Sequence, residues 1–278
     1  MDLSKTGKTI AKLRRSAGFT QASLAEKLGI SDKAVSKWER GIACPDVTLW
    51  SKLSILLDTD IENLIYGNSI SEEWIGVLIL YKYLSGDNLV YDKPLVHYLI
   101  SQFILVGIKD IYIIGDCSIP QIPYIKITVL KELNQRFTKN AFVIYGNQYL
   151  YGPNLTRHFE RAMSRNELTV IGSIRKKGEY QLEIDTDRHG KSVFNTSNTG
   201  YFALPYVFYP RNQTILDFEI IIKQSFHVEL LERGMVYFNV ISFQSIIEMA
   251  QFIMYMQENT GEDISNLDEI LINRGIGK

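Results

Sequence analysis

The chain has 278 residues, of which 46% are hydrophobic and 22% are charged, and this is enough for two domains with packed cores. A formal net charge of -1 excludes a protein that binds polyanions over its whole surface, although residues 1–40 carry nine Lys/Arg and four Asp/Glu, a net charge of +5. Two distant cysteines and four scattered histidines exclude a disulfide framework and a zinc pattern. With no signal peptide and no apolar run of about 18 residues, we expect a protein of the reducing cytoplasm without a membrane partner.

Three helical patterns occupy the basic N-terminal segment. Residues 6–17 form an amphipathic helix that places Arg14 among its outward positions. Thr20 and Ser31 stand at the N-cap positions of two shorter helices, and Gly29 between them ends the first of these. The inward positions of the two short helices repeat at helical spacing and comprise Leu24, Ala25, Leu28, Ala34, Val35 and Trp38. The pattern predicts two helices joined by a tight turn.

The outward positions of the second short helix all carry side chains that form hydrogen bonds. They are Asp32, Lys33, Ser36, Lys37 and Arg40. A short helix with such a face, supported by a second helix behind it, suits the major groove of DNA. The alternative is an ordinary helical hairpin with a solvated charged face.

The residues LRRSAGFTQASLAEKLGISDKAVSKWERG and the following PDVTLWSKLSILLDTDIENLI resemble the phage-repressor-type helix-turn-helix family, also called the xenobiotic-response-element family. The resemblance runs from about Ile10 to Ile65 and implies five helices within residues 1–67 and sequence-specific binding to a double-stranded DNA operator. It also implies a homodimer, because palindromic half-sites match two-fold symmetry and one such module buries little surface.

The same resemblance assigns roles in DNA binding to individual residues. It implies that residues 31–40, from Ser31 onward, enter the major groove and that Gln21 contacts a phosphate. The expected base-edge contacts come from Asp32, Lys33, Ser36 and Lys37, and Arg40 is expected to meet the DNA backbone.

After a predicted linker at residues 68–73, the pattern changes to alternating apolar strands and amphipathic helices. The predicted strands are 75–84, 111–114, 141–146, 168–174, 200–208 and 235–241, with a hairpin over 180–194. The predicted helices are 94–106, 128–137, 155–166, 220–233 and 241–261. Residues 74–278 are therefore expected to form a mixed, mostly parallel sheet flanked by helices, which makes the whole chain α + α/β.

Several segments of this second domain, in matching order, resemble sugar nucleotidyltransferases of the glucose-1-phosphate thymidylyltransferase type. They are YDKPLVHYLISQFILVGIKDIYII, VIYGNQYLYGPNL, NTGYFALPYVF and FEIIIKQSFHVELLERGMVYFNVISFQSIIEMAQFI. The resemblance implies a nucleotide-diphospho-sugar transferase-like fold. In that family a Gly-rich loop ending in Arg holds the triphosphate, a lysine neutralises phosphoryl charge, and two Asp residues hold magnesium.

This chain departs from the family at each of those catalytic positions. The segment after the first strand, LYKYLSGDNLVYDKP, is about ten residues too short, with neither a Gly-rich loop nor the arginine, and the matching lysine would fall near Ser85. Asn147 and Asn239 replace the two metal carboxylates, and an amide brings no negative charge to a metal. We therefore expect no catalytic residues, no metal and no cofactor, as in a pseudoenzyme.

A retained pocket could still bind a sugar phosphate or sugar nucleotide as an effector. The candidate ligand-binding residues at the matching positions are Asn147, Tyr151, Asn198, Thr199, Gly200 and Asn239. Two other interpretations stay open: a scaffold that only dimerises, and an active sugar-1-phosphate nucleotidyltransferase that carries a regulatory DNA-binding domain. Because the DNA-binding pattern is complete and the catalytic pattern is not, the sequence favours a transcriptional regulator.

Overall fold

The computed structural model describes residues 3–57, 59, 61–66, 73–81, 84–118, 120–132, 137–165, 167–174, 182–186, 190–193, 201–274 and 276. The chain divides into two compact units, Met1–Ser69 and Ile70–Lys278. Of the predicted linker 68–73, only Glu73 lies among the described residues. Within the described part of the chain, no helix is long and apolar enough to cross a membrane.

The first unit consists of five short helices around a small apolar core. Their bounds are α1 Leu3–Ser16, α2 Gln21–Leu28, α3 Asp32–Glu39, α4 Trp50–Leu56, which follows a 3-10 turn at Val47–Leu49, and α5 Ile61–Tyr66. The core joins side chains from every one of these helices, among them Ile10, Leu24, Val35, Leu53 and Leu64. The inward positions predicted from helical spacing are buried or half-buried in this core.

The second unit is built on a nine-stranded mixed sheet. Its elements in chain order are β1 Trp74–Ile79, β2 Leu89–Val90, β3 Lys93–Pro94, α6 Leu95–Ile104, β4 Asp110–Ile114, β5 Lys126–Leu130, β6 Asn140–Tyr145, β7 Gln148–Tyr151, α7 Leu155–Ser164, β8 Thr169–Ile174, β9 Leu182–Thr186, β10 Ser192–Val193, β11 Tyr201–Tyr209, α8 Phe218–Ile221, β12 His227–Leu230, β13 Val236–Asn239, α9 Phe243–Thr260 and α10 Leu267–Asn273. The main path of the sheet is β10-β9-β11-β6-β1-β4-β5, and β8 joins β11 to β12. Among these described strands, only β10 and β11 run against the other seven.

The central strands β1 and β6 are buried on both faces of the sheet, as their continuous apolar runs predict. Alternate side chains enter two separate cores. Leu78 and Phe142 belong to the core that includes α6 and α9, whereas Val77 and Val143 belong to the core on the opposite face. The sheet therefore holds the carboxyl end of β6 in a fixed position between two packed layers.

Two predicted helices are wrong. The segment 128–137 contributes to strand β5, because the β-branched run Ile127–Val129 pairs with β4 in a parallel ladder; residues 133–136 are not among those described. Within 220–233, the helix ends at Ile221, and the strand β12 follows from His227 and pairs with β8. Tertiary pairing outweighs the apparent helical spacing in both segments.

Candidate nucleic-acid interface and candidate ligand site

The turn between α2 and α3 is fixed by its capping residues. The Thr20 hydroxyl accepts a hydrogen bond from the backbone N–H of Ser23, whose own hydroxyl accepts one from the Thr20 N–H. Gly29 closes α2 with a φ of 71°, a left-handed conformation that favours glycine. The Ser31 hydroxyl then caps α3 by accepting from the Ala34 N–H. These contacts set the crossing of the two helices, as the sequence predicted.

A nearly buried ionic cluster anchors α3 from behind. The Arg14 guanidinium donates to the Glu39 carboxylate through Nε at 2.5 Å and Nη2 at 3.1 Å, and its Nη1 donates to the Phe19 carbonyl at 2.5 Å. Burial on its own would raise the pKa of Glu39, but hydrogen bonds from Arg14 and Gln21 outweigh it and hold that pKa below its usual range. Glu39 is thus charged at neutral pH and clamps the end of α3 to α1 and α2.

This cluster changes the assignment of two residues. Arg14 is buried, so its predicted outward orientation is wrong. The helical spacing of α1 alone could not show that Glu39 of α3 forms an ion pair with it. The Gln21 side-chain amide donates to Glu39 at 2.7 Å. A phosphate contact from Gln21 therefore has to come from its backbone N–H at the start of α2, or from a side chain released from Glu39.

The face of α3 opposite the cluster carries positive charge toward solvent. Lys33, Lys37 and Arg40 are exposed, and their spacing of four and three residues places them on one side of the helix. Ser31 is also exposed, and Ser36 lies half-buried between the basic side chains.

The Asp32 carboxylate accepts from the Lys33 N–H at 2.7 Å. Asp32 is therefore engaged with the first turn of its own helix, where a negative charge is favourable.

Close approach of the backbones explains why α1 and α3 pack so tightly. A Cβ atom added at Gly7 would lie 2.1 Å from the carbonyl oxygen of Trp38. No other residue type fits at this crossing without moving one of the helices. The C-terminal end of α3 is therefore held both by this contact and by the ionic cluster.

In the second unit, the two asparagines at the metal positions lie beside each other. Gly146 turns the chain after β6 with a φ of 80°, and Asn147 follows it, fully buried. The strand β7 pairs with β13 so that Asn239 stands opposite Gln148, and the Val240 N–H donates to the Asn147 carbonyl at 2.9 Å. The ladder thus brings Asn147 and Asn239 together at the carboxyl end of β6.

These side chains form a neutral network, which we call the amide cluster: Tyr81, Asn147, Gln148, Tyr237 and Asn239. The Gln148 amide donates to Asn239 Oδ1 at 2.8 Å and to the Tyr81 hydroxyl at 3.4 Å, and its Oε1 accepts from the Tyr237 hydroxyl. Asn147 Oδ1 accepts from the Tyr81 N–H at 3.3 Å. Among the described residues, Asn147 Nδ2 is a buried donor without an acceptor. A single acceptor group from a ligand would satisfy it.

The remaining predicted pocket residues have different surroundings. Tyr151 lies at the far end of the β7–β13 ladder, where its hydroxyl donates to Glu262 at 3.2 Å. Asn198, Thr199 and Gly200 fall outside the residues that the structure describes. Sequence reasoning missed Tyr81, whose ring lies directly against Gly146: a Cβ there would come within 2.3 Å of the ring. The sequence signal that could have indicated Tyr81 is an aromatic residue directly after the first strand.

The amide cluster does not fit the magnesium ions of the resembling family. Both asparagine side-chain oxygens already accept hydrogen bonds from protein donors, and the unpartnered Asn147 Nδ2 is a donor, which a cation repels. The cluster holds no carboxylate, and no group of three or more His, Cys, Asp or Glu suited to a metal occurs within the described ranges. Burial raises the pKa of the Tyr81 hydroxyl, so this phenol also stays neutral.

Known proteins of two different kinds match the chain, in agreement with its division into two units. A helix-turn-helix family model matches residues 10–64. The regulator ImmR of Bacillus subtilis, an HTH-type transcriptional regulator, is 34% identical over 67 residues, which are 24% of this chain and 53% of that protein. Glucose-1-phosphate thymidylyltransferase of Mycolicibacterium smegmatis is 24% identical over 233 residues, covering 67% of this chain and 80% of that enzyme.

A solved structure of UDP-glucose pyrophosphorylase from Acinetobacter baumannii superposes with a TM-score of 0.50 at 10% identity, over 71% of this chain and 98% of that one. At this identity the likeness shows the fold alone. Residues 10–64 are therefore a regulator-type helix-turn-helix domain, and the larger unit that follows has the fold of the sugar nucleotidyltransferases.

Proposed function

We propose that this protein is a sequence-specific transcriptional regulator whose nucleotidyltransferase-like unit performs no catalysis and serves the DNA-binding unit by binding an effector and by dimerising. The observation that carries the proposal is the replacement of both metal carboxylates by amides that are bonded to protein groups. Phosphoryl transfer depends on electrostatic stabilisation of the transferred group, and the amide cluster offers neither carboxylates to hold a metal ion nor a positive charge of its own.

The DNA-binding part of the proposal depends on the exposed face of α3. Three cationic side chains are exposed there, while Glu39 of the same helix is paired with Arg14 and the Asp32 carboxylate accepts from the backbone N–H of Lys33. We expect Lys33, Ser36 and Lys37 to contact base edges and Arg40 to contact a phosphate. Ser31 and Asp32, at the N-terminal end of α3, are expected to approach the same groove, and Asp32 to accept from a cytosine amino group.

The effector part of the proposal depends on the amide cluster. Asparagine, glutamine and tyrosine side chains form hydrogen bonds with neutral hydroxyl groups, and one buried donor, Asn147 Nδ2, lacks an acceptor. Sugar phosphates and sugar nucleotides are the ligands that the fold family suggests. We therefore propose that the sugar portion of such a ligand approaches Asn147 and Asn239, with Asn198, Thr199 and Gly200 as further contacts and Tyr151 at the edge.

The DNA-binding proposal is tested with the double variant Ser36→Ala/Lys37→Ala. Selection from a random duplex library with the wild-type protein first supplies an operator probe. We expect the variant to bind this probe at least about 30-fold more weakly in a gel-shift assay, since each of two good base contacts contributes roughly 1–3 kcal/mol. The matched control is Lys223→Ala/Ser225→Ala, which removes the same residue types from an exposed segment of the second unit. Unchanged affinity of the Ser36/Lys37 variant would defeat the assignment.

The rival proposal, an active nucleotidyltransferase, is tested separately. Wild-type protein is incubated with the four nucleoside triphosphates, sugar 1-phosphates and Mg²⁺, and pyrophosphate release is measured. We expect no release above the protein-free control, and turnover would overturn the pseudoenzyme proposal. A thermal-shift screen with sugar phosphates and sugar nucleotides then separates an effector-binding unit from a scaffold that only dimerises, because a ligand of the native state raises the melting temperature.

A further inference from the structure

The helix α9 carries an exposed apolar stripe along the side next to the one that packs on its own core. Phe243 is 74% exposed, Ile247 49%, Met254 39% and Tyr255 64%. Phe243, Ile247, Ala250 and Met254 follow one another at intervals of four, three and four residues, the spacing of a seam between paired helices. We call the surface of these five residues the α9 seam.

The neighbouring side of α9 is firmly packed, so the seam is presented on a rigid element. Ile246, Met249 and Ile253 are buried in the core of the second unit. Ser242 caps the N-terminus through a reciprocal pair of hydrogen bonds with Ser245, and Gly261 ends the helix with a φ of 73°. The exposed side chains are therefore not the fraying end of a loose helix.

We propose that the α9 seam is a dimer interface and that its occupant is α9 of a second copy, packed antiparallel about a two-fold axis. The proposal rests on the proposed function, because a regulator that reads a palindromic operator needs two helix-turn-helix units related by two-fold symmetry. Ala250, at the middle of the seam, is half-buried against the core of its own unit, and its small side chain leaves room for a second helix beside it.

The exposed apolar area agrees with a second copy. Side chains of this size expose about 200 Å² when free, so the four exposed members of the seam leave roughly 450 Å² uncovered. This lies within the range of the largest apolar patch on a typical monomer, ~300–600 Å². Two such patches joined by a two-fold axis, with their polar margins, clear the ~1,000 Å² expected of a specific interface.

The charges beside the seam favour the antiparallel arrangement. Glu248 and Glu258 are the only Asp, Glu, Lys, Arg or His residues of α9, and both are exposed. A parallel pair would place each glutamate beside its own copy, which is destabilising. With the two-fold axis between residues 250 and 251, Ile247 of one copy meets Met254 of the other. Glu248 then lies level with residue 253 of the second copy and Glu258 with residue 243, so no carboxylate faces another.

The first test compares oligomeric states of the full chain by sedimentation. We expect the wild type to be dimeric at micromolar concentration, and Ile247→Glu to raise the dimer dissociation constant by roughly 30-fold or more, because a buried unpaired charge at an interface costs several kcal/mol. The control is Ile55→Glu, the same change at an exposed isoleucine of the first unit. A monomeric wild type, or a dimer that only the Ile55 variant dissociates, would overturn the proposal.

The second test fixes the geometry and does not depend on a destabilising substitution. In the antiparallel pair, Gln251 lies about 1.5 Å along the axis from its own copy, whereas Gln244 lies about 20 Å from its copy at 1.5 Å per residue. A short bismaleimide is therefore expected to join subunits of Gln251→Cys and not those of Gln244→Cys, above the background of the two native cysteines. Equal cross-linking of both variants contradicts the arrangement. A dimer that cross-links at Gln251 but selects no DNA sequence would refute the proposed function and leave the interface intact.

Discussion

The α3 face and the amide cluster use polar side chains in opposite ways. On α3, three basic groups are directed to solvent, and the acidic residue behind them is bonded to Arg14 and Gln21. In the amide cluster, neutral side chains are bonded mainly to one another, and one donor, Asn147 Nδ2, is left over. The first arrangement leaves charge available to a polyanion, whereas the second leaves a small, uncharged hydrogen-bonding site.

The two sites differ in the concentration of charge that they present. Recognition of DNA and transfer of a phosphoryl group both depend on concentrated charge. The helix-turn-helix domain concentrates such charge on α3 and pairs Glu39 behind it, while the amide cluster of the second unit consists of neutral side chains. Substitutions that remove charge from one site, or that introduce carboxylates at the other, test this difference directly.

The largest effect is expected from Glu39→Ala. The substitution leaves the buried Arg14 guanidinium without its carboxylate, and breaking a buried pair in this way costs about 3–5 kcal/mol. A unit of this size has a total stability of similar magnitude, so we expect the first unit to unfold in most molecules. Hydrogen exchange on the full chain should show lost protection in peptides of α1–α3 and unchanged protection in peptides of β1 and β6.

Two controls accompany that variant. Glu26→Ala removes an exposed glutamate of α2, which forms no such pair among the described residues, and is expected to change stability by less than about 0.5 kcal/mol. Arg14→Met/Glu39→Leu removes both charges and should recover much of the lost stability, since an apolar pair of similar volume is often neutral. A Glu39→Ala protein with normal protection throughout would show that the cluster does not anchor α3.

A smaller effect is expected from restoring the carboxylates with Asn147→Asp/Asn239→Asp. Asn147 is fully buried, so a charged carboxylate there is costly without a cation, and we expect the melting temperature to fall by several degrees in EDTA. Millimolar Mg²⁺ should reverse much of the loss, because two adjacent carboxylates now bind it.

The wild-type protein supplies the control for that experiment. Its melting temperature should be the same in EDTA and in Mg²⁺, since both asparagine oxygens are occupied by protein donors. A wild type stabilised by Mg²⁺ would contradict the interpretation of the amide cluster as metal-free. A double variant that is insensitive to Mg²⁺ would show that the two positions are farther apart in solution than the ladder between β7 and β13 places them.

Sequence patterns were sufficient where a property is local. The caps at Thr20 and Ser31, the end of α2 at Gly29 and the burial of β1 each follow from residues within one or two turns or one strand. They were insufficient where the partner is distant in the chain. Arg14 looked like a solvated cation because its partner is 25 residues away, and β12 looked helical because β8, which pairs with it, lies more than 50 residues before it.

The adjacency of the two asparagines was predictable only through the family resemblance. Nothing in the spacing of residues 147 and 239 indicates contact, and the ladder between β7 and β13 creates it. The role of Tyr81 was not predictable in that way, because its ring packs against Gly146, a residue distant in the chain that directly follows the neighbouring strand β6. Long-range packing therefore determined most of what the sequence left open at the candidate ligand site.

The smallest effect concerns pH and the second unit alone. Burial lowers the pKa of His97, with the nearby Lys93 charge acting in the same direction, and burial also lowers the pKa of His227, with Arg165 adding to it. The unfolded chain then takes up protons more readily than the folded one below the ordinary histidine pKa of about 6.5. The stability of the second unit should therefore be fully present at pH 7.5 and should decline as the pH falls toward 5.

Chemical denaturation between pH 7.5 and 5, followed by hydrogen exchange in peptides of the second unit, measures this slope. The variant His97→Gln/His227→Gln should flatten it, whatever its stability at pH 7.5. Carboxylates with lowered pKa values, such as Glu39 and Asp92, act only at lower pH and do not enter this window. An unchanged slope in the double variant would assign the acid sensitivity to groups other than these two histidines.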